Sequence, residues 1–130
     1  LEQYTFSQCN KLRAVVFGKN LRFIGESAFY DCEQLSFVDL PDTVEVIEAE
    51  AFRHSGLRGL RIPNQIRELN LNILDGCYEL EEITLGENIE HILSQWEKPY
   101  YVSIRVPKDK IDDYCQKGLE PLKEEIDIIE

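Results

Sequence analysis

The side chains able to do chemistry are four cysteines, two histidines and a cluster of arginines. Cys9, Cys32, Cys77 and Cys115 could serve as nucleophiles, metal ligands or disulfide partners. None stands in a Cys-x-x-Cys pair and no paired histidine is near, so zinc-ligand spacing is missing. His54 and His91 are isolated in the sequence, with no Ser-His-Asp pattern and no glycine-rich phosphate loop around them. Carboxylates are numerous, at 25 Asp plus Glu, so close pairs arise by chance. Without a cleft between them they make no acid–base pair. The expectation is a chain with no catalytic residue, no metal and no cofactor. The arginines Arg53, Arg58, Arg61 and Arg67 fall in residues 51–67, which contain no acid. They read either as an anion or partner site, or as one half of a set of ion pairs.

What positions these residues is a repeat. Ile24, Ala28 and Phe29 return as Ile47, Ala51 and Phe52, a shift of 23 residues. The phenylalanine recurs as Phe6, Phe29 and Phe52, then as Leu74. The position three residues later holds Cys9, Cys32, Ser55 and Cys77. An LxxLxL triplet follows each time: Leu12-Val15-Phe17, Leu35-Val38-Leu40, Leu57-Leu60-Ile62 and Leu80-Ile83-Leu85. A second apolar pair follows that, from Leu21-Ile24 to Ile89-Ile92. One interval is 22, because Ser55-Gly56-Leu57 lacks a residue present in Cys32-Glu33-Gln34-Leu35. Self-similarity at such a period marks a solenoid, in which each repeat packs only on its neighbours and the ends need covering.

These residues resemble the BspA-type leucine-rich repeats of bacterial surface proteins, whose repeat reads roughly Ile-Gly-x-x-Ala-Phe-x-x-Cys-x-x-Leu-x-x-Ile-x-Leu-Pro. The resemblance runs from Leu1 to about Pro107. Pro41 and Pro63 carry the family proline, and Gly18 and Gly86 replace it elsewhere. Ser55 for cysteine, Leu74 for phenylalanine and the run Trp96-Glu97-Lys98-Pro99 depart from the pattern. The stretch Ser103 to Tyr114 resembles the family's closing motif of strand, Val-Pro and short helix. The resemblance implies a non-enzymatic surface protein that meets other molecules outside the cell, although a cytoplasmic location stays open. A single leucine-rich-repeat domain is expected over 1–130, with repeats over 1–107 and a C-terminal cap over 108–130. The chain opens in mid-repeat and without methionine, which reads as part of a longer protein.

The fold expected is a leucine-rich-repeat solenoid, β-rich, with short parallel strands stacked about 23 residues apart and a short C-terminal capping helix. About five rungs carry strands at 12–17, 35–40, 57–62, 80–85 and 101–106. Pro41, Pro63 and Pro107 mark strand exits, because proline removes a ladder donor. Adjacent rungs lie roughly 4.8 Å apart. Cys9 and Cys32 are therefore close enough for a bridge by Cα distance, yet stacked side chains point the same way. Buried free thiols acting as small hydrophobes fit the column better than a disulfide or zinc. In the cap, Asp109 suits a helix N-cap, and Ile111, Tyr114 and Cys115 share one helix face. Gly118 suits the helix end, and Leu119, Leu122, Ile126, Ile128 and Ile129 cover the open core.

Alternation along each strand puts two columns on the outer face. One is Ala14, Phe37, Gly59, Glu82, Ser103. The next is Val16, Asp39, Arg61, Thr84, Arg105. The candidate partner-binding residues are Val16, Phe37, Asp39, Arg61, Glu82, Thr84 and Arg105, because aromatic and arginine side chains dominate interface energy. Arg61 against Asp39, Arg58 against Glu81, and the alternating column Arg22, Glu45, Arg67, Glu90 also read as ion ladders. The net charge of −11 disfavours nucleic acid and anionic lipid. No apolar run approaches the roughly 18 residues of a membrane span. The functional expectation is a protein-interaction module, monomeric, with its partner on the parallel-sheet face. The alternative is a structural spacer or end-cap of a larger protein whose activity lies elsewhere.

Overall fold

The computed structural model describes residues 1–129. Two ladders of short parallel strands run along it, one on each wall. The first holds β1 (Ala14–Val15), β3 (Phe37–Val38), β5 (Gly59–Arg61), β7 (Glu82–Thr84) and β9 (Ser103–Pro107). The second holds β2 (Phe23–Ile24), β4 (Val46–Ile47), β6 (Glu68–Asn70) and β8 (His91–Leu93). All pairing is parallel, with Ala14 opposite Phe37 and Gly59 opposite Glu82 and then Ser103. The paired strands lie within or one residue beyond the expected spans and are shorter, two to five residues. A rung bends at both ends, so only its straight middle pairs.

The core is the stack of repeat positions. Ile24, Leu35, Val44, Leu57, Ile66 and Ile83 are all buried. Phe6, Phe29 and Phe52 stack as one aromatic column, with ring centroids 5.4 and 5.2 Å apart and the second pair within 2° of parallel. Offset aromatic stacking of this kind adds about 0.5–1.5 kcal/mol per pair beyond area burial. The cysteine column has a polar function within that core. Cys32 Sγ donates to the Phe6 carbonyl at 3.1 Å, and Cys77 Sγ donates to the Phe52 carbonyl at 2.9 Å. Each thiol thus adds a second donor to a carbonyl of the preceding rung that already accepts from a turn amide, Cys9 N–H at 3.2 Å or Ser55 N–H at 3.0 Å. Ser55 keeps the column polar, 3.3 Å from Cys77 Sγ. All four cysteines are free. Cys9 is only half-buried, contrary to the expectation for its column, because its rung is the outermost one.

The turns use left-handed backbone at two repeating positions. Tyr4, Ser27 and Glu50 form one set; Gln8, Asp31, His54 and then Gly76 form the other. Such residues persist where surrounding hydrogen bonds over-determine the conformation. Here the rung-to-rung bonds Phe29 N–H to Ala51 O (2.8 Å) and Asp31 N–H to Arg53 O (2.9 Å) do so.

Both ladders break at one place. β3 does not pair with β5, and β4 does not pair with β6. This is the rung boundary at which the repeat loses a residue, between Ser55 and Leu57. The shortened connection pulls the register back by one; the Arg58 N–H still reaches the Ser36 carbonyl at 3.3 Å, but the ladder pairing found on either side is not formed across it.

The expected helical cap is present, as one run of mixed pitch. Turns of changing pitch run from Lys108 to Glu125, and only Ile111–Tyr114 is α-helical. Lys110, not Asp109, precedes that helix, and no side chain caps it. Asp109 fails as a cap because it lies inside the preceding 3₁₀ turn. Gly118, at φ 133°, kinks the run where a Cβ would lie 1.9 Å from the Ile92 carbonyl oxygen. Tyr114, Leu119 and Leu122 close the core. The chain then forms β10 (Ile126–Ile129), which extends the first sheet by pairing with β9. Ile126 packs against the core as expected, whereas Ile128 is 57% exposed on the last strand. The side chain of Ile129 lies outside the described residues.

Candidate interaction surface

The two predicted outward columns exist. Ladder pairing sets Glu82 beside Ser103 and Thr84 between Arg61 and Arg105, with the Leu60–Ile83–Ile104 row turned inward. At the N-terminal end Val16 is 97% exposed and Phe37 63% exposed. Their neighbours Val38 and Leu40 are buried, so alternation sets the orientation. Asp39, Arg61, Glu82 and Arg105 are exposed and Thr84 is partly so. The face is apolar at its N-terminal end and charged towards its C-terminal end.

The charged half is braced internally. Arg61 does not meet Asp39. Both Nη atoms reach Asp42 Oδ1, at 3.0 and 2.8 Å. Two causes act together. The break between β3 and β5 removes the pairing that would set Arg61 beside Asp39. Asp42 Oδ1 is also fixed at the strand exit by the Asn64 N–H at 3.1 Å. Hydrogen bonding from Arg61 holds the Asp42 carboxyl below its ordinary pKa. Arg105 approaches Glu82 at 3.9 Å. The other expected ladders form: Arg58–Glu81 at 3.8 Å, Arg22–Glu45 at 3.9 Å and Arg67–Glu90 at 2.8 Å. All are exposed, so each contributes at most about 1 kcal/mol. Glu45 and Arg67 lie on opposite sides of the break, which interrupts that column.

His91 lies in the second ladder opposite Glu68. His54 is not isolated. Its Nδ1 lies 3.1 Å from Asp31 Oδ1, one rung away, and its ring packs near Tyr30 and over Gly76. The pair ties two left-handed turn positions together. Among the described residues no group of three or more His, Cys, Asp or Glu could hold a metal. Burial raises the pKa of Cys32 and Cys77, which keeps both as neutral thiols.

Sequence reasoning missed Asp42 and the Tyr100–Tyr101 pair. Asp42 carried a usable signal, following Pro41 as Asn64 follows Pro63. The last strand, expected over 101–106, puts Tyr101, Ile104 and Val106 at its LxxLxL positions, yet Tyr101 is 84% exposed and Val102 fills the core row at 7%. The irregular Trp96–Pro99 run shortens this interval to 21 residues, Glu82 to Ser103, and shifts the buried position by one.

A stack of parallel strands built on an LxxLxL motif, closed by a helical cap, defines a leucine-rich-repeat solenoid. The chain belongs to the BspA type leucine rich repeat family, whose model matches six copies over residues 1–123. Among solved structures it is similar to the pneumococcal vaccine antigen PcpA, at 21% identity and TM-score 0.69, over 98% of this chain. It is also similar to a leucine-rich repeat protein from Bacteroides ovatus ATCC 8483, at 19% identity and TM-score 0.58, over 81% of this chain. The chain spans 38% and 36% of the lengths of those two proteins. No curated protein matches the chain. No helix among the described residues is long and apolar enough to cross a membrane.

Proposed function

We propose that this chain is a non-enzymatic protein-interaction module of a bacterial cell-surface leucine-rich-repeat protein, with its partner on the parallel-sheet face. Residues 1–130 act as one monomeric repeat domain, repeats over 1–107 and cap over 108–130, within a longer protein. The carrying observation is the exposure of Val16 and Phe37 on adjacent columns of a regular face. An exposed aromatic–aliphatic pair loses solubility and gains nothing for the fold, whereas a buried aromatic anchor is the usual centre of interface energy. The direct test is cross-linking of a captured partner followed by mapping of the linked residues. Links concentrated on the sheet-face columns support the reading; links confined to the β2–β8 wall overturn it.

A second reading, that of spacer or end-cap, draws on the bracing of the charged half. Arg61 and Arg105 are already engaged with Asp42 and Glu82. If the face is purely structural, replacing Phe37 and Val16 by serine leaves every binding activity of the full-length protein intact.

A further inference from the structure

Tyr100 and Tyr101 are 85% and 84% exposed, and their rings meet edge to face at 4.8 Å. The chain is anchored on both sides of them, by buried Pro99 and by Val102. In the earlier rungs the position of Tyr101 is filled by Leu35, Leu57 and Leu80, all fully buried. The one-residue shift at this rung hands the core position to Val102 and leaves both tyrosines with no packing duty. Each ring restrains the other, so a partner meets a preformed aromatic platform with little ordering left to lose.

The surroundings of the platform are negative. It shares a shallow groove with Glu81, Glu124, Glu125 and Asp127. Two of these are tied down locally: Glu125 pairs with Lys98 at 3.1 Å, and Asp127 accepts from Ser103 Oγ. Glu81 meets Arg58 only at 3.8 Å with both side chains mostly exposed, and Glu124 is exposed. We infer that Tyr100 and Tyr101, rimmed by Glu81, Glu124 and Asp127, form a second docking surface that takes a lysine- or arginine-bearing segment of a protein partner. A cation placed over a tyrosine face gains from the ring quadrupole, and flanking carboxylates add charge complementarity. Acidic partners are repelled by the same carboxylates, which fixes the sign of the occupant.

The test uses the whole chain and short synthetic peptides, one of Arg, Ser and Gly and one with Glu in place of Arg. Binding is read by calorimetry and by tyrosine fluorescence. The expected result is binding of the basic peptide alone, weakened at least about tenfold in the double variant Tyr100→Ser, Tyr101→Ser. The variant pair Glu81→Gln, Glu124→Gln should weaken binding severalfold and flatten its salt dependence. Both tyrosines are exposed, so thermal melts of these variants should match the parent, which separates lost binding from lost fold. Equal binding by parent and tyrosine variant would show adsorption to a chain of net charge −11 and overturn the proposal. So would equal binding of the acidic peptide, tyrosine-dependent dimerisation in sedimentation, or tyrosine-dependent binding to phosphatidylcholine vesicles.

Discussion

The Tyr114 hydroxyl donates to the Gly86 carbonyl at 2.6 Å inside a fully buried site, and it accepts from the Ile89 N–H at 3.3 Å. One side chain from the cap therefore satisfies two backbone groups of the last repeat loop. Burial also raises the Tyr114 pKa, so the group stays a protonated donor. Tyr114→Phe keeps the ring but strands both backbone groups. The expected loss is about 1–3 kcal/mol in urea unfolding. A chain cut after Pro107 loses Tyr114, Leu119 and Leu122 together, and should aggregate or melt without cooperativity. A cut chain that stays monomeric and melts unchanged contradicts the capping role.

Gly118 supports the same closure from the backbone side. Its φ of 133° suits glycine, and an added Cβ would collide with the Ile92 carbonyl oxygen. Gly118→Ala should cost at least about 2 kcal/mol, read by thermal or urea melting. Gly18→Ala is the control, because nothing lies within 4 Å of its Cβ position.

The regular parts of the fold were legible because stacking forces equivalent residues into equivalent places. Phe29 over Phe52 follows from spacing alone, as do the outward columns. The partner of Arg61 was not legible. Column logic gave Asp39, but the missing residue before Leu57 breaks the pairing on which that logic depends. Tyr101 misled for a similar reason, since an LxxLxL match hides a one-residue shift. The left-handed turn residues, such as Ser27 and Glu50, carry no glycine or asparagine signal, because neighbouring rungs hold them rather than local preference. Asp109 matched a capping composition, yet the backbone chose a 3₁₀ turn there.

Hydrogen exchange should reveal the break. The Val46 and His91 amides donate to Arg22 and Arg67 carbonyls in the preceding rungs, whereas no such bond serves the Glu68 amide across the gap. Glu68 should exchange markedly faster than His91 in the native protein. Equal protection at the two sites would show a continuous ladder.

Thiol labelling reports on the cysteine column. Cys9 and Cys115 are half-buried and should react slowly in the native state; Cys32 and Cys77 should wait for unfolding. Burial raises the folded pKa of Cys32 and Cys77 above that of a free thiol. That contribution to stability is complete below the unfolded pKa and falls away as pH rises beyond it. Stability should therefore decline above about pH 9, and less steeply in Cys77→Ser. Rapid native labelling of Cys32, or a mass deficit marking a bridge, contradicts the account.

Asp42 gives the opposite limb. Its folded pKa is lowered, so its contribution is present above the unfolded value and lost as pH falls through the folded one. The stability difference between the parent and Asp42→Asn should be about 0.2–1 kcal/mol at neutral pH and vanish in strong acid. A difference that persists unchanged in acid would mean that the Asp42 charge is not its source.

Phe37 and Leu93 are equally exposed, 63% each, on opposite walls of the stack. Measuring partner affinity and thermal stability of Phe37→Ser beside Leu93→Ser therefore tests the sheet-face assignment most directly. The account predicts unchanged melting for both variants, at least about tenfold weaker binding for Phe37→Ser, and parent-like binding for Leu93→Ser. Full binding by Phe37→Ser, or loss confined to Leu93→Ser, would contradict it.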